Sequence, residues 1–352
     1  MERQQRKVLI LAVPETSGSA LYGMVDVLMS TGNVWQTLVG DAIPYQPFDV
    51  RIVSVDSAPF HCGHGIPVEP AYAIADEPAA DILILPEIWL GPDEAISGRY
   101  EGLMEWIKTR FRSGATIYSA CSGSVLLAES GLLDNCEATS HWGYQELFRT
   151  HYPKVRFRPE SNLVYAHPDG RLVTAGGTTS WHDLALHIIA RHVGVGEALR
   201  IAKVYLLKWH GEGQLPFTGL VRRTHHADSA VRRCEEWLNV HWRDPGAISL
   251  LVESSPLPAR TLKRRFKAAT GCSVIEYLQN LRIEAAKRAL EHGRLSVEEV
   301  SQEIGYEDVS FFRRLFRRLT GLTPGEYRRL FRPLVEESAC LPQARVPLSE
   351  HP

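Results

Sequence analysis

Short, continuously apolar segments alternate with amphipathic ones through the first 210 residues. The apolar segments are five to eight residues long, and apolar runs of this length are typical of strands buried on both faces of a parallel sheet. They predict strands at residues 7–13, 81–85 and 115–120. Residues 48–55 are predicted as a further strand, with shorter ones near Ala138 and at 172–174. Helical spacing of apolar positions predicts helices at residues 17–30, 100–112, 124–129, 181–192 and 198–209. This alternation indicates an α/β fold, a doubly wound parallel-sheet sandwich.

A different pattern, present in two copies, occupies residues 258–331. Each copy has two apolar positions four residues apart, Leu262 with Phe266 and Phe312 with Phe316, so each pair lies on one helix face. The positions between them are mostly arginine or lysine and must project outward. A shorter amphipathic helix precedes each copy, at residues 248–254 and 297–304, with a brief turn between. This order predicts an all-α domain with two helix-turn-helix motifs, in which the second helix of each motif lies in the DNA major groove.

The remaining segments set the predicted domain boundaries. Residues 211–227 mix glycine, proline, polar and basic residues without periodicity, so they predict a linker between a first domain at 6–210 and a second at 228–332. A long helix at 274–291 joins the two motifs of the second domain. Residues 333–352 are polar and contain several prolines, and we expect a disordered tail there.

The net charge of the second half of the chain differs in sign from that of the rest. Residues 256–332 carry 16 Lys and Arg against 9 Asp and Glu, a local net charge of +7, whereas the whole chain is at −2. A charge run is often only a solvated helix face, but such faces usually alternate in sign. A basic segment on an acidic body instead favours binding to phosphate. The charge and the repeat together predict a double-stranded DNA partner.

The lengths of the apolar runs and the spacing of the cysteines and histidines argue against a membrane, secreted or metal-binding protein. No apolar run approaches the about 20 residues needed to span a bilayer, and no secretory processing site follows the basic start, so we expect a cytoplasmic protein, associated with the nucleoid through its DNA. The six cysteines have no disulfide or CxxC spacing, which is typical of reduced thiols. His61, Cys62 and His64 could suggest a metal site, but four correctly spaced ligands are missing. We predict a hairpin tip there, and no metal or other cofactor.

The second half resembles the DNA-binding domain of AraC/XylS-type transcription regulators. The resemblance rests on the Gly305-Tyr-Glu-Asp segment, the Phe312-Arg-Arg-Leu-Phe run and the segment from Thr320 to Arg328, which reads TGLTPGEYR. Residues 6 to about 205 resemble the PfpI-like, class I glutamine amidotransferase-like domain, which implies a flavodoxin-like sheet. Together the two halves resemble the GlxA-like branch of these regulators.

That resemblance implies roles for individual side chains. By position, Arg260, Lys263 and Arg264 of the first motif are candidates for reaching base edges. Val309, Ser310, Arg313 and Arg314 hold the corresponding places in the second motif. Arginine and lysine suit guanine O6 and N7, and the Val309 methyl groups suit a thymine methyl. The candidates for binding phosphate lie further along the helices; they are Lys267, Arg317 and Arg318.

The first motif departs from the family in its turn. The turn reads Ser254-Ser-Pro-Leu-Pro258, where the family usually has a glycine near Pro256. Glycine permits positive φ and proline forbids it. We therefore expect the first turn to be built differently from the second, and its motif to be the weaker reader of sequence.

Cys121 is the candidate for chemistry in the first domain. It lies between a predicted strand and a predicted helix, at the place of the nucleophile in the enzymes that this domain resembles, and a helix N-terminus favours the thiolate. PfpI-like hydrolases have a histidine directly after this cysteine, and here Ser122 follows it. Related enzymes have a carboxylate at the position of Ala20. We therefore predict that Cys121 is vestigial and that the domain is not an enzyme.

The old active-site cleft is instead predicted to bind a ligand, because clefts at the carboxyl ends of parallel strands bind small molecules. The candidate lining residues are Glu15, Cys121, Ser122, His141 and Thr178. His141 is as well explained as a buried, hydrogen-bonded histidine, and Gly176-Gly177 as a tight turn. The sequence thus favours a transcription regulator with a small-molecule effector. The resemblance implies an effector among the amines or amino-acid derivatives, a homodimer, and RNA polymerase as a partner if the protein is an activator.

Two other functions remain open on the sequence. One is a Cys121-dependent amidase, glyoxalase-like enzyme or hydrolase with an accessory DNA-binding domain. The other is an architectural DNA-binding protein with an inert first domain.

Overall fold

The computed structural model describes residues 5–42, 45–91, 94, 96–100, 102–177, 179–219, 226 and 228–340. The chain divides into two compact units, Met1–Leu215 and Pro216–Pro352. The division falls inside the segment that the sequence predicts as a linker.

The first unit is built around a central sheet. The described strands of this unit are β1 (Arg6–Leu11), β2 (Phe48–Ser54), β3 (Phe60–Cys62), β4 (Ile66–Val68), β5 (Tyr72–Ala73), β6 (Ile82–Leu85), β7 (Thr116–Ala120), β8 (Glu137–Ala138), β9 (Arg156–Phe157), β10 (Leu163–Tyr165) and β11 (Leu172–Ala175). Among the described residues, seven strands form the sheet in the order β10-β11-β7-β6-β1-β2-β5. Neighbours pair in parallel, except for the antiparallel pair of β10 with β11. The predicted parallel sheet is confirmed.

Helices cover both faces of this sheet. They are α1 (Gly18–Met29), α2 (Val34–Val39), α3 (Leu103–Arg112), α4 (Gly123–Glu129), α5 (Gln145–His151), α6 (Ser180–His192) and α7 (Val195–Val204). Alternate residues of β1 enter two separate cores, Val8 on the face of α1 and α6 and Leu9 on the face of α3 and α4. Because both faces are covered, the central strands β1 and β6 are buried and apolar at successive positions rather than at every second one.

Several elements of this unit differ from the prediction. Two short helices, α2 and α5, and the antiparallel edge strand β10 are not predicted from the sequence. The helix predicted at 198–209 begins earlier, after Gly194 at φ 133°, and ends at Val204, shortly before Leu206 at φ 55°. Backbone conformations in the left-handed region interrupt a helix regardless of the apolar spacing around them. The predicted hairpin tip at residues 61–64 is confirmed as the turn between β3 and β4.

The second unit is helical throughout its described elements. Its helices are α8 (Ser229–His241), α9 (Ala247–Ser254), α10 (Ala259–Thr270), α11 (Val274–His292), α12 (Val297–Glu303), α13 (Val309–Thr320) and α14 (Pro324–Cys340). Two small cores lie at the two ends of α11, one containing Leu278 and Phe266 and the other Leu290 and Phe316. Each helix-turn-helix motif therefore has its own core, and α11 belongs to both.

The end of the chain differs from the expected boundary. Helix α14 continues to Cys340, past residue 332, where the sequence predicts the end of the DNA-binding domain. Residues 341–352 of the predicted tail lie outside the described residues. No helix in the described part of the chain combines the length and the apolar character that crossing a membrane requires.

Candidate functional site

The predicted DNA-reading residues share the outer faces of two equivalent helices. In α10, Leu262 and Phe266 are fully buried, and in α13 Phe312 and Phe316 are. The opposite faces are exposed and carry Arg260, Lys263, Arg264 and Lys267 in α10, and Ser310, Arg313, Arg314, Arg317 and Arg318 in α13. Val309 is half-buried at the start of α13. The apolar spacing thus orients the basic side chains outward, as helix-turn-helix readout of a groove requires.

The two motifs differ at the turn before these helices. The second turn has Gly305 at φ 83°. At the equivalent place the first turn has Ser255 in an extended conformation, with φ −77° and ψ 134°. The residue before a proline is pushed out of the helical region, and Ser255 precedes Pro256. The expectation that the first turn is built differently is confirmed.

Capping also distinguishes the two reading helices. The Asp308 carboxylate accepts hydrogen bonds from the backbone N–H of Ser310 (2.8 Å) and of Phe311 (3.0 Å) at the start of α13. Helix α10 begins after Pro258, whose side chain makes no capping hydrogen bond. An N-cap of this kind contributes about 1 kcal/mol, so α13 has the better-supported N-terminus.

One basic residue of the first motif, Arg265, is ion-paired within the unit. The guanidinium of Arg265 donates to both carboxylate oxygens of Asp228, at 2.8 and 2.7 Å. Asp228 also caps α8 by accepting from Ala230 N and Val231 N, each at 3.1 Å. The Arg265 guanidinium holds the pKa of the Asp228 carboxyl below its usual range. Arg265 therefore joins α10 to α8 and does not belong to the outer face.

Arg282, in the middle of α11, connects the segment after α8 to the turn of the second motif. It is 8% exposed and donates to the backbone carbonyls of Trp242 (2.8 Å), Gly305 (2.9 Å) and Asp244 (3.3 Å). Its guanidinium also lies 5.0 Å from the centre of the Tyr306 ring. Trp242 and Asp244 follow α8, whereas Gly305 is the turn of the second motif. The arrangement fixes the two motifs relative to one another within the unit.

In the first unit, Cys121 lies at a sharp turn between β7 and α4. Its backbone has φ 52°, and its side chain is 1% exposed. Two residues later, a Cβ on Gly123 would lie 2.2 Å from the Leu85 carbonyl oxygen, so the turn requires glycine at that place. The strained, closely packed turn holds the thiol at the carboxyl edge of the sheet.

The carboxyl group nearest to this thiol was not predicted. Glu87, which follows β6, is buried, and its Oε1 lies 3.5 Å from Cys121 Sγ. Burial, and the Glu87 carboxyl group next to it, raise the pKa of the Cys121 thiol. The backbone N–H of Ser122, next to the start of α4, lowers this pKa as expected for a helix N-terminus, but burial and Glu87 outweigh it. A signal was available in the sequence, since Glu87 stands at the carboxyl end of a predicted strand, where cleft residues of parallel sheets lie.

Ser122 serves the backbone of the same segment. Its hydroxyl donates to the Ile88 carbonyl (2.5 Å) and accepts from the Ile88 N–H (3.0 Å), and it is fully buried. Tyr144 lies alongside and donates from its hydroxyl to the Leu90 carbonyl at 3.0 Å. Burial raises the pKa of Tyr144 to about 12. Cys121, Ser122 and Tyr144 are thus gathered around the 87–90 segment.

The other predicted cleft residues lie at the edges of this group. Glu15 accepts from Arg99 at 3.1 Å and from the Tyr100 hydroxyl, and its backbone carbonyl accepts from the Trp89 N–H at 2.7 Å. Trp89 is 50% exposed, so it offers a large apolar surface beside Glu15. Thr178 lies outside the described residues.

His141 is half-buried and already partnered. Its Nδ1 accepts from the Gly143 N–H at 3.0 Å, and its ring lies 4.9 Å from that of Trp142 and 6.1 Å from that of Tyr144. Burial lowers its pKa, which favours the neutral imidazole. A neutral ring among aromatic rings can contact a ligand, but its Nδ1 is already in use.

The histidines and cysteine at residues 61–64 form a hairpin and not a ligand cluster. Cys62 is 3% exposed in the apolar core, and the His64 ring lies 5.5 Å from that of Trp89 in an edge-on arrangement. Across the described residues, no group of three or more His, Cys, Asp or Glu side chains is placed to hold a metal ion.

Comparison with known proteins identifies both units. Residues 6–191 match the model of the DJ-1/PfpI family, which is more than half of the chain. The chain belongs to the DJ-1/PfpI family. Residues 252–330 match a helix-turn-helix domain, so this DJ-1/PfpI family member carries an additional AraC-type domain. The resemblance of each half to its family is thereby confirmed.

Among the relatives of this DJ-1/PfpI family member are transcriptional regulators. The HTH-type transcriptional regulator CdhR of Pseudomonas aeruginosa is 26% identical over 295 residues, covering 84% of this chain and 85% of its own. The HTH-type transcriptional regulator GlxA of Rhizobium meliloti is 29% identical over 222 residues, covering 62% and 66%. The crystal structure of Drosophila melanogaster DJ-1beta matches 58% of this chain and 100% of its own, with 17% identity and a TM-score of 0.46.

Proposed function

We propose that this chain is a transcription regulator that reads DNA with α10 and α13 and senses a small molecule in the cleft of its DJ-1/PfpI domain. The observation that carries the DNA-binding part is the pair of equivalent helices with buried apolar faces and exposed arginine and lysine. The relatives named as HTH-type transcriptional regulators support it. The two helices would enter successive major-groove faces about 34 Å apart.

The assignment of single side chains follows from their places on these helices. Arg260, Lys263 and Arg264, with Val309, Ser310, Arg313 and Arg314, would read base edges. Lys267, Arg317 and Arg318 would bind phosphates and set the register. Arg313 is held at 2.5 Å by Glu298, but an exposed ion pair of this kind contributes little, so the arginine is free to exchange this partner for a base.

The DNA-binding part can be tested on the full chain with an operator selected from a random-sequence library. Arg314→Ala should weaken binding to the selected operator by about 1–3 kcal/mol and relax the preference at one position. Lys267→Ala should weaken binding to all sequences equally and reduce the salt dependence. Arg112→Ala, which removes an exposed charge from the first unit, is the matched control. Equal losses on operator and random DNA for Arg314→Ala would place that side chain on phosphate.

The sensing part is supported by the state of the thiol. A nucleophile needs a thiolate and a base, whereas the Cys121 thiol is buried and its pKa is raised. The same cleft has an exposed Trp89 and polar groups on Glu15 and His141, which suit binding without reaction. An amine or amino-acid derivative is the effector class that we propose. The regulator would act in the cytoplasm on the nucleoid, as a homodimer, and would contact RNA polymerase if it activates.

The competing function is a Cys121-dependent hydrolase or amidase, favoured by the position of the thiol in a strained turn. A thermal-shift screen of the full chain against amines and amino-acid derivatives separates the two. A compound that stabilises the protein, changes operator affinity and is recovered intact supports the sensor. A compound that the wild type consumes and Cys121→Ala does not would establish the enzyme instead. No stabilising compound in a broad metabolite panel would leave a DNA-binding protein with an inert first domain.

A further inference from the structure

The last residues of the first unit are fastened to its interior. We call residues 210–214 the strap. His210 donates from its backbone N–H to Asp183 Oδ1 at 3.1 Å, and its Nδ1 lies 2.9 Å from Asp183 Oδ2. Asp183 is fully buried in α6. At the other end, Gly213 has φ 69°, and a Cβ there would lie 2.5 Å from the Glu160 carbonyl oxygen. The Gln214 N–H donates to the same carbonyl at 3.1 Å. The strap is therefore held at both ends, although residues 211–214 belong to the predicted linker.

Gln214 inserts its side chain into the protein. It is 5% exposed, and its Nε2 donates to the carbonyls of Ser140 (2.8 Å) and Ser161 (2.9 Å), with Thr139 Oγ1 at 3.2 Å. Its Oε1 accepts from the Trp142 N–H at 3.2 Å. Both ends of the amide are thus used, and a buried amide with every partner in place is specific for one arrangement of those partners.

The fit around this side chain is close. A Cβ on Gly176 would lie 2.5 Å from Gln214 Cδ, and one on Gly177 would lie 3.3 Å from Gln214 Oε1. Gly177 begins the turn before α6, since its carbonyl accepts from the Ser180 N–H at 2.7 Å. Neither glycine is among those with positive φ, so the backbone conformation does not by itself require glycine at these two places. The glycine pair leaves the space that Gln214 fills.

The partners of Gln214 belong to the wall of the proposed effector cleft. The 139–142 loop carries His141 and Trp142, and the Ser140 hydroxyl donates to the Cys121 carbonyl at 2.8 Å. A ligand that displaces this loop must move the Trp142 N–H and the Ser140 carbonyl, and therefore Gln214 with them. Two residues after Gln214, the chain enters the helix-turn-helix unit at Pro216.

We propose that Gln214 is the positioning residue that couples the cleft to DNA binding. The proposal rests on the proposed function of a cleft sensor. Gln214 is bonded to the loop that a ligand would move, and it lies where the chain leaves the first unit. Movement of the 139–142 loop thereby changes the path of the chain where it leaves the first unit. Release of Gln214 from the loop uncouples the cleft from DNA binding. Coupling of this kind requires one element whose position both sites influence, and the strap with Gln214 is such an element.

The alternative is that Gln214 only stabilises the end of the first unit. A stabilising residue and a coupling residue differ in a double-mutant cycle, because only the coupling residue changes the effect of a second substitution in the cleft. The second substitution is His141→Ala, which removes a ring from the loop without removing a partner of Gln214. Gln214→Met keeps the volume and removes the hydrogen bonds, and Gln214→Glu keeps the acceptor for Trp142 but removes the donor to Ser140.

The experiment measures the Kd of the full-length protein for the selected operator in all four combinations of His141→Ala with Gln214→Met. We expect His141→Ala to shift the Kd at least fivefold with Gln214 present and less than twofold in the Gln214→Met and Gln214→Glu backgrounds. Gln36→Met is the matched control, since Gln36 is a second buried glutamine of the same unit, 5% exposed in α2. In that background the fivefold shift should persist. Hydrogen exchange of β11 shows that each variant is folded.

Three results would overturn parts of this picture, and they are distinguishable. An equal shift in the wild-type and both Gln214 backgrounds would show that the coupling bypasses Gln214 and would leave the sensor intact. Loss of the shift in the Gln36→Met background as well would assign the effect to general destabilisation. Unchanged operator affinity for His141→Ala, together with no effect on the operator from any stabilising compound, would remove the sensor and the coupling together.

Discussion

Removing the Arg282 guanidinium should loosen both helix-turn-helix motifs at once. The side chain is 8% exposed and makes two short hydrogen bonds, to the carbonyls of Trp242 and Gly305, and a longer one to that of Asp244. Hydrogen bonds from a charged donor contribute about 1.5–3 kcal/mol each. In Arg282→Met, water can hydrogen-bond some of the freed carbonyls. We therefore count about 1.5 kcal/mol for each of the two short bonds and a fraction of that for the longer one. The expected loss is about 3–4 kcal/mol.

Native-state hydrogen exchange of the full chain measures this loss locally, which avoids fitting one unfolding transition to two units. The opening free energy of α8 and α12 should fall together, because Arg282 binds the chain after α8 and the turn after α12. Operator affinity should fall as well, since the two reading helices lose their fixed arrangement. Arg288→Met is the matched control, because Arg288 is exposed on the same helix. A change of less than about 1 kcal/mol in Arg282→Met, or a change confined to one motif, would refute this reasoning.

Three further substitutions test other parts of the structure by denaturation or hydrogen exchange. Asp228→Ala should destabilise α8 by about 1 kcal/mol through loss of its N-cap, whereas Asp228→Asn should retain the cap. Because the folded-state pKa of Asp228 is lowered, the stability that its charge contributes should disappear as the pH falls below about 4. An unchanged pH profile of stability in Asp228→Asn would contradict this. Burial lowers the pKa of His192 to about 4, and the neighbouring Arg6, Arg191, His187 and Asp81 also act on it. Stability should therefore fall by about 1–3 kcal/mol as the pH falls from about 6.5 to about 4. His192→Gln should flatten this pH profile, and an equally steep profile would count against the assignment to His192. Gly123→Ala should destabilise the first unit by about 3 kcal/mol or more through its clash with the Leu85 carbonyl. Gly196→Ala, where a Cβ meets no atom within 4 Å, should be neutral or slightly stabilising.

Much of the architecture could be predicted from local pattern. The apolar runs place β1, β6 and β7 within a few residues, because strands covered on both faces are apolar at successive positions. The paired aromatic positions of α10 and α13 predict which face is buried and, by exclusion, which basic side chains are exposed. These features depend on neighbours three or four residues apart, and such neighbours are visible in the sequence.

The site depends on neighbours far apart in the chain. The sequence predicts Glu15 and the position of Ala20 as the places to look for a carboxylate, yet Glu87 lies next to Cys121, because the order of β6 and β7 in the sheet brings their carboxyl ends together. Gln214 lies 74 residues from Ser140, which accepts its hydrogen bond, and its segment shows only the composition of a linker. In the sequence Arg282 resembles any other basic residue of a helix; in the fold, two carbonyls of the segment after α8 and one from the turn of the second motif surround it.

The sequence by itself therefore determined the two kinds of fold, the outward direction of the basic helix faces and the resemblance to DNA-binding regulators. Only the tertiary structure decided that the Cys121 thiol is buried beside a carboxyl group and that Gln214 bonds the 139–142 loop to the end of the first unit. The physical reason is that periodicity encodes which face of an element is buried, whereas a pKa or a hydrogen-bond network depends on which elements meet at that face.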